Sequence, residues 1–459
     1  RLVWLKVMID PAKLISRHSW VRHLAALLLL VGIMIVLQIN YPIQSYDSGY
    51  ASTTMMLGFI LLIAYLAGLL VSNYGLPKIT GYLLIGIIFG PSILGYATEN
   101  MVSHLKLVNG MAVALIALTA GGEIKLMRIK QIKKPLFYIS AISMILIFAG
   151  IFGSTILLRN NLSFLGIGDS FSKALAVALL VGTIFMASSP TVAIAVINDT
   201  GAKGRVSDLV LGTTVIKDMI VVIIFAVTLS FAVVLQDPGM QFDFYALFET
   251  IGMVLLSLGL GLFLGWLLGL YVKNIGSEMV LVVLGFCLLV AELGLSYHLE
   301  PLSICLAAGF FIENFSDHTG DELITAIKKL SLPVYVIFFS VVGLGLKLNM
   351  LTAMWSVALL FVVIRLILTY AGTLAGAWLG KASPKMAKYG WMGFISQAGV
   401  SLGLAVTISR TFPGWGPKLE MLIVAVVTLH EIAGPILLKF ALDRSGETYR
   451  RSEKNKNRG

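Results

Sequence analysis

Apolar residues run along this chain in long blocks separated by short polar stretches. Fourteen blocks stand out, near 24–39, 50–72, 78–97, 104–123, 136–158, 172–198, 206–235, 245–272, 278–296, 300–313, 332–346, 353–380, 387–409 and 420–443. Each reaches, or nearly reaches, the length needed to cross a hydrocarbon layer of about 30 Å as a helix. The pattern predicts an all-α polytopic membrane protein with thirteen to fourteen transmembrane helices. The tenth and eleventh blocks are the shortest, and one of them as a re-entrant segment leaves thirteen crossings.

The polar stretches sort by charge. "KLMRIKQIKK", "DTGAKGR", "AIKK", "GKASPKMAK" and both tails hold Lys and Arg, whereas "QINYPIQSYDSGY", "SYHLEP" and "QDPGMQFDF" hold none. Basic loops stay on the cytoplasmic side of a membrane, so both termini are expected there, which an even count of fourteen satisfies. Composition agrees: of 459 residues 58% are hydrophobic and only 12% charged, where a soluble protein has roughly a quarter. The net charge of +11 sits in loops and tails, which argues for membrane orientation and against nucleic acid as a partner. Residues 1–45 form a basic segment and an additional helix with no clear small-x-small cleavage site after it, so the helix reads as retained. Residues 46–443 form the main membrane domain and 444–459 a basic cytoplasmic tail. Cys287 and Cys305 lie inside apolar blocks and read as core filler. The six histidines are scattered and no nucleophile, base and orienter cluster, so neither an enzyme nor a cofactor is expected.

Two blocks are interrupted by polar and helix-breaking residues. In 172–198, Ser188, Ser189, Pro190 and Thr191 fall near the middle, and proline removes a backbone donor while clashing with the preceding turn. In 387–409, Ser396, Gln397, Gly399 and Ser401 make a second small, polar patch at similar depth. Broken helices in the two halves of a membrane protein point to a midplane binding site lined by free carbonyls and helix ends. Four charges are similarly deep: Lys217 and Asp218 in the seventh block, Arg365 in the twelfth and Glu431 in the fourteenth. An ionisable group at such depth costs about 2.5–3.5 kcal/mol on insertion scales and needs a cavity or a partner. Lys217 and Asp218 are adjacent, hence about 100° apart around a helix, and cannot point the same way. Arg365 reads equally as a clamp on unwound backbone or as part of a transport site, and Glu431 as a locally paired structural residue or a possible site residue.

The segments "GLPKITGYLLIGIIFGP" (75–91), "ALTAGGEIKL" (117–126), "SSPTVAIAVINDTGAKGRVSDLVLGTTVIKD" (188–218), "LSICLAAGFFIEN" (302–314), "LPVYVIFFSVVGLGLKLNML" (332–351) and "FISQAGVSLGLA" (394–405) together resemble the monovalent cation:proton antiporter superfamily, in its second, bacterial-type branch. They occur in that family's order across about 75–443. The resemblance implies thirteen helices in two inverted repeats, with interleaved core and dimerisation subdomains, a homodimer in a bacterial inner membrane, and two crossed, broken helices at Ser188–Thr191 and Gln397–Ser401. The helix at 24–39 is then an addition. Asp218 takes the place of the ion-binding, proton-exchanging aspartate, where the monovalent cation would bind, and Arg365 that of the family's basic core residue. Relatives usually place Asp, Asn or Gln immediately before the aspartate; here that residue is Lys217.

A carboxylate that binds either a cation or a proton couples the two fluxes by competition. The expected function is therefore exchange of Na⁺ or K⁺ for H⁺ by alternating access, with oxygen ligands from Asp218, Ser188, Ser189 and unwound carbonyls. Two alternatives accompany it. A gated potassium efflux relative would normally carry a nucleotide-binding domain after the last helix, and no G-x-G-x-x-G follows a strand here. A non-transporting sensor or scaffold with the same fold would have Lys217 filling the cation site.

Overall fold

The structure, a computed structural model, describes residues 11–40, 49–167, 170–237, 242–297, 299–316 and 320–448. The basic start (1–10), the loop centre at 41–48 and the basic tail beyond 448 lie outside the described residues. Among the described residues the regular structure is helical, with no strand. In chain order the helices are α1 (Pro11–Asn40), α2 (Gly49–Asn73), α3 (Lys78–Phe89), α4 (Glu99–His104), α5 (Lys106–Glu123), α6 (Leu126–Gln131), α7 (Lys133–Leu157), α8 (Phe171–Ile184) and α9 (Pro190–Thr200). They continue as α10 (Arg205–Gln236), α11 (Phe244–Asn274), α12 (Met279–Tyr297), α13 (Pro301–Phe315), α14 (Gly320–Gly345), α15 (Leu348–Leu379), α16 (Pro384–Tyr389), α17 (Gly399–Thr411) and α18 (Gly416–Ser445).

Every apolar block therefore contains a helix or a broken pair. The 78–97 block is helical only to Phe89, because Gly90 is extended and the residue before a proline, here Pro91, is pushed out of the helical region. The 332–346 block belongs to a longer helix that begins at Gly320 and carries Pro333 inside it. By length and composition α2, α7, α10, α11, α15 and α18 each suffice to cross a bilayer, while α16 and α17 qualify only together, across a bend of 44°. Helices α3, α8, α12 and α13 are apolar but shorter.

The described residues divide into two compact units, one made of residues up to 109 with 335–346, the other of 110–334 with the residues from 347 onward. In the first, α2 packs on α3, and Ser92 Oγ donates to the Leu346 carbonyl at 3.1 Å. The second holds every deep charge singled out above. Its densest seam joins α7 to α15, where a Cβ on Gly372 or Gly376 would come within 2.6 Å of the backbone of Ser143 or Ile139. Small residues at such a seam let two backbones approach, which is how helices associate where lipid removes the hydrophobic drive. Aliphatic and aromatic side chains of α7, α8, α10, α15, α17 and α18 and of the turns at their ends fill the interior around it, among them Phe361 on α15 and the cap residues Phe185, Phe412 and Trp415. Large apolar side chains also cover the outside: Leu157 is 84% and Trp378 81% exposed. Large apolar side chains exposed in such number fit lipid as their neighbour.

Candidate ion-exchange site

Both expected interruptions are present and lie against each other. The first is the non-helical stretch Phe185–Ser189 between α8 and α9. Pro190 is not inside it: it occupies the first turn of α9, and Ser189 caps that helix by accepting from Val192 N at 3.3 Å. A proline at the first helical position removes an N–H that had no partner there in any case, so the break precedes the proline. The second interruption runs through a 3-10 turn at Gly390–Phe394 to Ala398, with Gly399 opening α17 and Ser401 in its first turn.

Three kinds of hydrogen bond join the breaks. Ser189 N donates to the Ser396 carbonyl at 2.8 Å and Ser188 Oγ to the Phe394 carbonyl at 3.0 Å. Gln397 Nε2 donates to the Ile184 carbonyl at 3.0 Å and to Ser401 Oγ at 3.3 Å. Arg365, fully buried on α15, donates through Nε to Phe185 O (2.8 Å), through Nη1 to Ile395 O (2.8 Å), and through Nη2 to Ala187 O (2.7 Å) and Phe394 O (3.1 Å). The rigid guanidinium fork matches such a set of carbonyls where a lysine point charge cannot, and buried carbonyls without donors are costly. Of the two sequence readings of Arg365, the clamp on unwound backbone is the one its contacts display. On the far side, α18 closes onto the crossing at Gly434, where any Cβ would collide with Ser396 Oγ.

Asp218 lies thirteen residues into α10, about 20 Å along its axis at 1.5 Å per residue. It is 5% exposed, and among the described residues its carboxylate has no hydrogen bond or ion pair. Lys217 points elsewhere, as the 100° separation demands: its Nζ stands 4.7 Å from the centroid of the Phe394 ring, with no hydrogen-bond acceptor. The ring face supplies a cation–π contact in place of a salt bridge. Phe394 is the residue whose carbonyl Ser188 and Arg365 hold, so the lysine packs on the crossing itself. The Ser189 and Thr191 hydroxyls share a hydrogen bond of 3.0 Å. Glu431 is 1% exposed on α18, and neither of its oxygens has a partner, so the local pairing expected of it is absent among the described residues.

Two residues that sequence reasoning passed over join this group. Glu300, immediately before α13, interacts through space with Asp218, and its Oε2 accepts from Ser303 Oγ at 2.6 Å. It fell in the stretch "SYHLEP", read as an ordinary loop. His430 Nδ1 lies 2.9 Å from Gln397 Oε1; its neighbour Glu431 drew the attention as the deep charge. Among the described residues no group of His, Cys, Asp and Glu has the arrangement of a metal centre.

An all-helical membrane domain with two broken helices joined to each other has the fold of the sodium/proton antiporter class. Residues 58–443 match the family described as "Sodium/hydrogen exchanger, transmembrane", and the chain belongs to that family. It is 22% identical over 387 residues to a Na⁺/H⁺ antiporter of Enterococcus hirae, covering 83% of this chain and 96% of that one. It is 28% identical over 176 residues, 38% of this chain and 42% of the relative, to the Na⁺/H⁺-K⁺ antiporter GerN of Bacillus cereus. The fold is similar to that of the sodium proton antiporter MjNhaP1 of Methanocaldococcus jannaschii, with a TM-score of 0.69 and 17% identity over 87% of this chain and 97% of that chain. The protein is thus a transmembrane cation/proton exchanger and a transporter, not an enzyme.

Proposed function

We propose that the protein exchanges Na⁺ or K⁺ for H⁺ at Asp218 by alternating access. The observation that carries this reading is the Asp218 carboxylate itself, nearly buried and without a hydrogen bond among the described residues, on a helix packed against the crossing. A carboxylate so placed is completed by a ligand, and a dehydrated monovalent cation and a proton are alternative ligands for the same oxygens. Neither can bind while the other is present, so each cycle carries one in and the other out. The Ser188 hydroxyl, which donates to Phe394 O, keeps its lone pairs for a cation, and the Ser189–Thr191 pair keeps two between them whichever of the two hydroxyls donates. Sodium is supported by the Enterococcus relative, and potassium by the K⁺ in the name of the Bacillus one.

Arg365 and the bonds between the breaks make the crossing one rigid piece that moves with α10, the remaining helices acting as the scaffold. We place the protein in a bacterial inner membrane as a homodimer, with both termini cytoplasmic. The non-transporting alternative asks Lys217 Nζ to sit on Asp218 as a built-in cation. Its position over Phe394, with no ion pair to Asp218 among the described residues, favours the transporter.

The test is Asp218→Asn in proteoliposomes loaded with a pH dye and challenged in turn with Na⁺, K⁺, Li⁺ and choline. The variant keeps the size of the side chain and removes the titratable charge, so cation-driven pH changes should vanish while the protein still elutes as a folded species. Wild-type exchange by that variant would remove Asp218 from the mechanism.

A further inference from the structure

The contacts around Gln397 fix the hydrogen positions of a side chain from outside both breaks. Ile184 O can only accept, so the amide end of Gln397 that faces it is the NH₂. The other end is therefore the carbonyl oxygen, also only an acceptor, and it faces His430 Nδ1 at 2.9 Å. His430 must carry its hydrogen on Nδ1. Its Nε2 is buried with no partner among the described residues, so the bond to Gln397 is the imidazole's one polar contact. The result is a one-directional relay, His430 Nδ1–H to Gln397 Oε1 and Gln397 Nε2–H to Ile184 O, that runs from α18 through the second break to the end of α8.

We infer that His430 is a positioning residue for ion exchange: its Nδ1–H fixes the orientation of the Gln397 carboxamide and so the register of the two breaks beside Asp218. A carboxamide is nearly symmetric in shape, and only its partners decide which end is oxygen. Without a donor at the Nδ1 position the Gln397 oxygen is buried with no partner, and turning the amide over would set that oxygen against the Ile184 carbonyl, two acceptors face to face. Either outcome loosens the bond to α8 and moves the Ser188–Ser189 hydroxyls relative to the carboxylate. His430 itself touches no ion.

This inference rests on the exchange reading for its transport readout, and a second measurement is independent of transport. Asparagine can place an N–H where Nδ1 stands, whereas glutamine places its amide near Nε2. In proteoliposomes His430→Asn should stay within about twofold of wild type, while His430→Gln should raise the apparent KM for the cation at least fivefold with a smaller change in maximal rate. Equal behaviour of the two variants, whether both intact or both impaired, would overturn the positioning role. Solid-state ¹⁵N NMR of histidine-labelled protein, with His430→Asn as the subtraction control, should show a protonated Nδ1 and a bare Nε2 for this ring. A proton on Nε2 in place of Nδ1 would overturn it even if His430→Gln fails to fold. Absence of exchange in the wild type, with the tautomer as described, would sink the exchange reading and leave the relay standing.

Discussion

At the level of single residues, the site is an arrangement of unlike charges that do not pair. Lys217 stands over the Phe394 ring and the buried Asp218 has no hydrogen bond or ion pair among the described residues, with Glu300 acting on it from the α13 start. Electrostatics then predicts two opposite effects. Lys217→Gln removes a positive charge near the cation's position and should lower the apparent KM for Na⁺ or K⁺. Glu300→Gln removes a negative one and should raise it. A unit charge in a site of effective dielectric about 20 acts on its neighbours by on the order of 1–2 kcal/mol, or about 5- to 30-fold in affinity. Changes of the same sign in the two variants, measured by cation titration in proteoliposomes, would show that at least one of the two residues does not act through its charge. Lys217, Asp218 and Arg365 were legible in the sequence because a charge inside an apolar block needs a reason. Glu300 and His430 were not, since a glutamate in a polar loop and a histidine beside a glutamate have ordinary explanations, and only the tertiary contacts of α13 and α18 separate them from those.

The breaks themselves belong to the scale of elements. Their existence could be read from proline, glycine and serine inside apolar blocks, but what holds them open could not. Sequence reasoning made Pro190 the cause of the first break; in the structure it begins α9, and the open carbonyls of Phe185 and Ala187 are held by Arg365. Pro190→Ala should therefore leave exchange largely intact and change stability by no more than about 1 kcal/mol, since alanine is also a good first helical residue. Arg365→Leu should do much more, because each buried carbonyl left without a donor costs about 1–3 kcal/mol; thermal unfolding in detergent should show its melting temperature well below that of Asp218→Asn. A melting temperature matching that of Asp218→Asn would show the clamp to be dispensable. Helix α10 has a support of its own at the other end. The Glu447 carboxylate accepts from Val206 N (2.8 Å), Ser207 N (2.9 Å) and Ser207 Oγ (2.8 Å), so a residue from the end of the chain caps the helix that carries Asp218. Glu447→Ala should lower stability by about 1–2 kcal/mol, the usual worth of a helix N-cap. No sequence signal pairs residue 447 with residue 206, because the contact is made by two chain segments brought together only when α18 and α10 pack in one unit.

Over the whole molecule, the distribution of charge supports the proposed orientation. Three of the basic stretches and the last described residues meet at one end of the second unit: Arg128 lies 4.0 Å from Asp208, Lys203 N donates to Glu447 O at 3.0 Å, and Lys385 Nζ donates to Ser445 O at 2.6 Å. Stretches that the charge rule assigned to one side of the membrane are thus together in space. From that end α10 runs on to Asp218, the carboxylate at which exchange is proposed. Cation and proton are proposed to compete for that carboxylate, and the dependence of the apparent cation KM on pH in wild-type proteoliposomes, under zero membrane potential, reads that competition. If one site binds either ligand, lowering the pH through the range where protons compete should raise the KM by up to tenfold per pH unit while saturating cation restores the same maximal rate. A KM independent of pH, with acid lowering only the maximal rate, would mean that cation and proton bind at separate sites and do not compete for Asp218.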